Sequence, residues 1–347
     1  MTESFRTTFE SYLNKQWYSQ SRSAKLLSPC SWIFGQLVRR RRRKFLSGKK
    51  VVWSAPVPVC VVGNLTVGGT GKTPLVAWLA DWLTARGARV GIVSRGYGGS
   101  SSYPLEVTES TSVREAGDEA LLLARRTKCP VVVDPRRVAA TQTLLSNHAI
   151  DLVLSDDGLQ HYALGRDIEV LVIDGARGHG NGMLLPAGPL REPIDRIESV
   201  DWVVANGKPS RLVDHEWVMH FVAREMVNVA TETTVCVDKF REMHGAKVSA
   251  MSAIGNPARF KETLVDLGFR PSLTAFKDHY RFKDDDFNHV QNGVLVVTEK
   301  DAQKIRELPQ VAPDTWFPRI EIQFDGDVDR HLSEMFGEHE IELSDKP

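Results

Sequence analysis

From residue 51 onward, short apolar runs alternate with longer stretches in which apolar positions recur every three or four residues. The runs 57–62, 89–94, 130–133, 151–155, 168–173 and 200–205 are rich in Val, Ile and Leu and apolar almost throughout. Such continuity predicts strands buried on both faces of a parallel sheet, since a half-exposed strand alternates. Between them, 74–86, 117–126 and 136–147 follow the helical period. Strand and helix in alternation predict a doubly wound α/β domain. Polar or glycine-rich stretches follow several strands, where open α/β sheets place their ligands. A second, smaller α/β domain is expected after about 206–235. Its elements are strands at Val248–Ile254, Val294–Thr298 and 317–324, and helices at about 257–267 and 301–307. The tail after Asp325 is acidic and weakly patterned.

The first 50 residues follow another rule. Cys30, Ile33, Phe34 and Leu37 fall at helical spacing after Ser28-Pro29, which reads as a cap followed by a first-turn proline. Arg39–Arg43 and Lys44 come next. The apolar stretch of about 13 residues is too short to span a bilayer, which takes about 20. The basic cluster follows the apolar run, the reverse of a signal peptide. The pattern fits an amphipathic helix lying on an anionic membrane surface. A solvated charge run beside a core helix and a nucleic-acid contact are the other readings. No nucleic-acid-binding module is recognisable nearby.

Composition sharpens this division. The 347 residues are 42% hydrophobic and 25% charged, with zero formal net charge. Residues 1–50 hold twelve basic and two acidic residues, a net of +10, and the remainder carries −10. The four cysteines are far apart without C-x-x-C spacing, which excludes a disulfide framework and a zinc ribbon and fits a reducing compartment.

The strand at 57–62 runs into Thr66-Val67-Gly68-Gly69-Thr70-Gly71-Lys72-Thr73, and a helix follows. Strand, glycine-rich loop and helix in this order are the context of a phosphate-binding P-loop. Backbone N–H groups and the helix N-terminus would cradle phosphate, Lys72 would reach the β/γ-phosphates, and Thr73 would ligate Mg²⁺. The loop departs from G-x-x-x-x-G-K-[ST] at its first position, Thr66; an ordinary glycine-rich turn is the alternative.

Asp156 and Asp157 end the strand 151–155, where P-loop enzymes hold a Mg²⁺-associated carboxylate; acids there can also cap a turn. His161 continues the same stretch. Asp118 and Glu119 open a helix, either as a favourable dipole placement or with Asp118 as a proton acceptor. Arg95 and Tyr97 follow the second strand and offer a cation and a ring. Arg191 and Glu192 lie in the proline-rich loop 185–193. His279 sits in the polar stretch Asp278-His279-Tyr280. Thr298-Glu299-Lys300-Asp301 superficially matches the guanine-reading N-K-x-D motif, but its lysine is displaced, so it makes no case for GTP.

Taken together, Gly63–Pro74, Ser94–Gly99, Gly117–Glu119, Asp156–His161, Leu185–Glu192, Asp278–Tyr280 and Thr298–Asp301 resemble one family, the tetraacyldisaccharide 4'-kinases (lipid A 4'-kinases) of Gram-negative bacteria. That family tolerates a non-glycine at Thr66; Ala120 departs from its usual proline. The resemblance implies ATP and Mg²⁺ as cofactors and the 4'-hydroxyl of an acylated glucosamine disaccharide phosphate as acceptor. Asp118 would be the base, with His279 tuning it and Lys72 on the phosphates. Thr73, Asp156, Asp157 and Glu192 would stand at the metal, and Arg95, Tyr97, Glu119, His161 and Arg191 on the acceptor side. The implied organisation is a membrane-associating arm (1–50), a P-loop kinase domain (51–212) and a smaller domain closing the site (213–347), on the cytoplasmic face of the inner membrane. Rival classes are a partitioning ATPase, against which Val67 stands where such proteins carry lysine, and a nucleic-acid-associated P-loop protein.

Overall fold

The computed structural model describes residues 16–19, 26–290, 293–308, 314–339, 341 and 343–344. In chain order, α1 is Ser28–Leu46, β1 Val59–Gly63, α2 Lys72–Thr84, β2 Val90–Ser94 and β3 Leu105–Glu106. Then come α3 Val113–Ala116, α4 Asp118–Thr127, β4 Val131–Val133, α5 Arg137–Asn147, β5 Leu152–Asp156, β6 Ile168–Asp174 and β7 Trp202–Asn206. The remainder is β8 Trp217–Asn228, β9 Thr234–Cys236, α6 Val237–His244, β10 Lys247–Ser252, α7 Pro257–Asp266, β11 Arg270–Ala275, β12 Leu295–Val297, α8 Glu299–Ile305, β13 Thr315–Phe324 and α9 Val328–Gly337.

The chain forms two compact units, one of residues 1–72 and 157–219, the other of 73–156 and 220–347. In the first, β1 and β6 pair in parallel, as do β6 and β7, and β7 continues onto Trp217–Met219. Every residue of β1, β6 and β7 is buried, as their unbroken apolar runs require. In the second unit β2 lies between β4 and β5, all parallel, with β3 antiparallel on β4. β10 pairs in parallel with β11 and β12, and β12 with β13. The alternation in 294–297 feeds two cores. Val294 and Val296 join Phe240, Leu264 and Trp316, while Leu295 and Val297 join Phe282, Ala302 and Ile305.

α1 runs unbroken through the arginines to Leu46. Ser28 is its first helical residue and not its cap. Leu27 holds the cap position without a side-chain bond, because residues 26–27 already turn in a 3-10 geometry that brings Ser28 into the helix. α1 docks within its unit through Ser31, whose Oγ donates to the Leu184 carbonyl at 2.8 Å and accepts from Ala187 N at 2.9 Å. One turn on, a Cβ at Gly35 would stand 2.7 Å from Leu184 Cδ1. The opposite side shows Trp32 at 68% and Leu37 at 61% exposure. Among the described residues no helix is long and apolar enough to cross a membrane.

Candidate active-site residues

The loop 64–71 is held by its carbonyls. Asn64 Nδ2 donates to Gly68 O (3.3 Å), Arg177 Nη2 to Gly69 O (2.6 Å) and Asn206 Nδ2 to Thr70 O (2.8 Å). Val67 N donates to Pro189 O, and Arg191 N to Leu65 O. With its carbonyls claimed from behind, the loop's amides at Gly68–Gly71 are left to face an anion. Gly68 and Gly71 stand at φ +106° and +101°, which only glycine adopts without strain. Thr66 is not at positive φ; it forms a β-bridge with Leu190. The first glycine of the standard loop is therefore not needed here.

Lys72 Nζ lies 3.4 Å from Asp157 Oδ1, and Arg191 Nη1 reaches both Asp157 oxygens at 3.1 and 3.2 Å. Asp157 thus pairs with both cations. Glu192 is buried, accepting from Tyr162 Oη and, at 3.2 Å, from Gln160 Nε2. Burial first, and then the Glu192 charge, push the Tyr162 phenol up, so it stays a donor. His161 is half-buried, its amide on Gly158 O and its carbonyl bonded by Arg166.

In the other unit Thr73 Oγ1 donates to Asp156 Oδ2 at 3.2 Å. Asp156 is buried, and the buried Arg137 holds its carbonyl at 3.1 Å. A hydroxyl and a carboxylate are hard oxygen donors of the kind Mg²⁺ takes with phosphate oxygens and water. Among the described residues no three His, Cys, Asp or Glu side chains gather into a metal cage.

The second cluster of this unit centres on Asp118, buried at the first turn of α4. It does not cap its helix, since Gly117 holds the cap position without a side-chain bond. Instead His279 Nδ1 stands 3.1 and 3.2 Å from its two oxygens, Lys300 Nζ 3.8 Å and Lys304 Nζ 3.6 Å away. Lys300 also pairs with Glu119 at 2.9 Å and Asp278 at 3.5 Å. Thr298 caps α8, and Asp301 accepts from Thr298 Oγ1 and Ala253 N, which fixes the helix carrying both lysines. Ion pairing of Arg126 with Glu299 ties α4 to α8. His279 is held at φ +58°, uncommon for a non-glycine residue. Tyr97 is 57% exposed, with its ring centroid 4.7 Å from that of His279. A Cβ at Gly117 would stand 2.2 Å from Tyr97 O, so only glycine lets the Tyr97 loop close on α4. Arg95 is exposed.

Burial alone would raise the Asp118 carboxyl. The His279 hydrogen bond and the charges of Lys300, His279 and Lys304 outweigh it and lower it to about 2. Burial would lower the His279 imidazole, but the Asp118 bond, against Lys300 and helped by Asp278, raises it. Burial would likewise lower the Lys300 ammonium, and the carboxylates of Glu119, Asp118 and Asp278 raise it instead. The result is an ionised carboxylate bonded to an imidazole made more basic, a pair able to take a proton from an alcohol. Replacing Lys300 with Met removes a positive charge from both groups, so each holds its proton more easily. The acid limb of the kcat–pH profile should move to higher pH; an unmoved limb would mean that Lys300 does not set the pair's ionisation.

Lys300 is named in the sequence only within the Thr298–Asp301 motif, without a site role, and Lys304 is not singled out there. Their four-residue spacing after a capping Thr298-x-x-Asp301 was the available signal. Arg177 and Asn206, far from the loop in sequence, carried none.

The sequence model of the family described as tetraacyldisaccharide-1-P 4'-kinase matches residues 23–337. The chain is 44% identical over 310 residues to the tetraacyldisaccharide 4'-kinase of Pseudomonas fluorescens, covering 89% of this chain and 91% of that one. It is 45% identical over 297 residues to the protein of the same name from Nitrosococcus oceani, with 85% and 86% covered. The fold is similar to the crystal structure of LpxK from Aquifex aeolicus in complex with ATP, at a TM-score of 0.75 and 28% identity, covering 91% of this chain and 98% of that one.

Proposed function

The chain belongs to the tetraacyldisaccharide-1-P 4'-kinase family, and on that premise we propose how its residues share the work. The reaction is transfer of the γ-phosphoryl group of ATP to the 4'-hydroxyl of a tetraacyldisaccharide 1-phosphate, a step of lipid A biosynthesis. The observation that carries the mechanism is the bond between buried Asp118 and half-buried His279 in a chain that also holds a P-loop. We assign both clusters to one reaction.

The amides of Gly68–Gly71 and Lys72 bind the phosphates, with Lys72 released from Asp157 by the incoming charge. Mg²⁺ would rest on Thr73 and Asp156, where it neutralises charge on the transferring phosphoryl group. Asp157 and Glu192, counted with the metal on the resemblance, are engaged with Lys72, Arg191, Tyr162 and Gln160. We give them the task of orienting the loop around the phosphates. The Asp118–His279 pair accepts the proton of the acceptor hydroxyl as its oxygen bonds to phosphorus. Tyr97, with Arg95, Glu119, His161 and Arg191, is assigned to the acceptor, Tyr97 as a face for the sugar ring. We keep the functional division 1–50, 51–212 and 213–347, with the last segment covering the acceptor.

Residues 1–50 are assigned to an anionic membrane, on the cytoplasmic face where ATP is available. Supporting this are exposed Trp32, Ile33 and Leu37 beside the exposed Arg39, Arg40 and Arg43. Arg41 and Arg42 are engaged with Gln160 and Ser199 instead. Changing Arg39, Arg40 and Arg43 to Gln should release the protein from anionic vesicles at lower salt, since each cation near such a surface contributes about 1 kcal/mol. Turnover on detergent-dispersed lipid should stay within about twofold of wild type, because none of the three touches the assigned machinery. Equal vesicle binding of wild type and variant across a salt series would reject the membrane assignment. The reaction itself is tested by incubating the protein with labelled Mg-ATP and a lipid extract. Label in a disaccharide lipid is expected; label in free phosphate alone would favour an ATPase.

A further inference from the structure

Residues 17 and 18 lie against the stretch 177–186 of their own unit, from which Arg177 reaches the P-loop. Trp17 is buried; its Nε1 donates to Pro186 O at 3.0 Å, and its carbonyl accepts from Asn181 N at 2.9 Å. A Cβ at Gly180, at φ +59°, would stand 2.8 Å from Trp17 O, so this loop is shaped to admit the segment. Tyr18 then reaches the P-loop through Arg177. Its ring lies 5.2 Å from the Arg177 guanidinium, the same group that donates to Gly69 O and pairs with Asp174 at 2.8 Å.

Gly69 is the fourth residue of the P-loop, so Tyr18 steadies the loop through the guanidinium that holds its carbonyl. An Arg guanidinium stacked on a ring loses freedom to swing away from its acceptor. We propose that Trp17–Tyr18 is a positioning element for the nucleotide site, with Tyr18 holding Arg177 so that the loop is pre-shaped for the phosphates of ATP. This rests on the kinase reading above and adds to it. The segment before α1 acts on nucleotide affinity, apart from any part that α1 plays at a membrane.

The test measures the dissociation constant of a non-hydrolysable ATP analogue by calorimetry on the full-length protein, together with KM for ATP and for lipid. Tyr18→Ala should weaken nucleotide binding and raise KM for ATP about fivefold, from loss of one cation–π contact. Its kcat at saturating ATP and its KM for lipid should stay near wild type. Tyr18→Phe, which keeps the ring, should bind the analogue like wild type, and Tyr18→Leu, which keeps apolar bulk without the ring, should weaken it as alanine does. Combining Tyr18→Ala with Arg177→Met should cost less than the product of the two single effects, because the ring acts through that guanidinium. Unchanged analogue binding in Tyr18→Ala and Tyr18→Leu overturns the proposal, as does a change confined to the lipid KM. Should Tyr18→Ala fold poorly, Tyr18→Leu decides alone. Wild-type protein that binds no analogue would instead overturn the kinase reading itself.

Discussion

Lys72→Ala is expected to leave a folded protein that transfers phosphate at least about 10³-fold more slowly, since it removes a preorganised cation from the developing charge. The structure makes this a clean experiment. Lys72 pairs with Asp157 at 3.4 Å, and Arg191 pairs with the same carboxylate, so the substitution strands no buried charge. Folding is therefore expected to survive, and thermal melting checks it. Lys72→Arg should rescue little, because a guanidinium does not reproduce a compact ammonium point charge. Wild-type turnover in Lys72→Ala would remove the P-loop from the mechanism.

The second large effect belongs to Asp118. Asp118→Ala should lower kcat by about 10²–10⁴-fold, the usual contribution of a positioned base, with KM for ATP nearly unchanged. His279→Ala should cost less, and the double variant should fall short of the product of the single effects if the two act as a unit. Asp118→Asn separates charge from shape. It keeps the hydrogen bond to His279 but cannot take a proton, so it should be nearly as slow as alanine. The substitution also leaves Lys300 and Lys304 facing a neutral group, although Glu119, Asp278 and Asp301 still compensate them. Strict additivity of Asp118→Ala and His279→Ala, or a loss expressed only in the KM for ATP, would reject the pair as the proton acceptor.

Most of the regular structure was legible in the sequence because a strand buried on both faces cannot disguise itself. The runs at 57–62, 168–173 and 200–205 became β1, β6 and β7 with ends moved by a residue or two. β8 escaped because its twelve residues mix buried Val218 and Met226 with exposed Arg224, so neither an unbroken run nor strict alternation marks it. α9 escaped for a related reason. Its buried Val328, Leu332 and Phe336 keep the four-residue spacing, but the acidic surroundings hid it. At the site, motifs show which residues face a ligand and say nothing of what stands behind them. Asp118 and His279 were legible as chemistry-bearing residues. Their bond, 161 positions apart in the chain, and the two lysines that lower the carboxyl were not. Thr66 is the converse case. The sequence marked it as a departure from the P-loop pattern, and the backbone explains it, since that position needs no positive φ.

The two sides of α1 answer to different constraints. Ser31 and Gly35 are read by the protein's own interior, where Leu184 lies 2.7 Å from any added Cβ and both bonds to the Ser31 hydroxyl are fixed. Those two positions must stay small as the lineage diverges. Trp32, Ile33 and Leu37 are exposed and meet no such template, so they are free to vary. Aligning this helix across distant species should therefore show two clocks on one rod, slow on the side that grips the body and fast on the side turned outward.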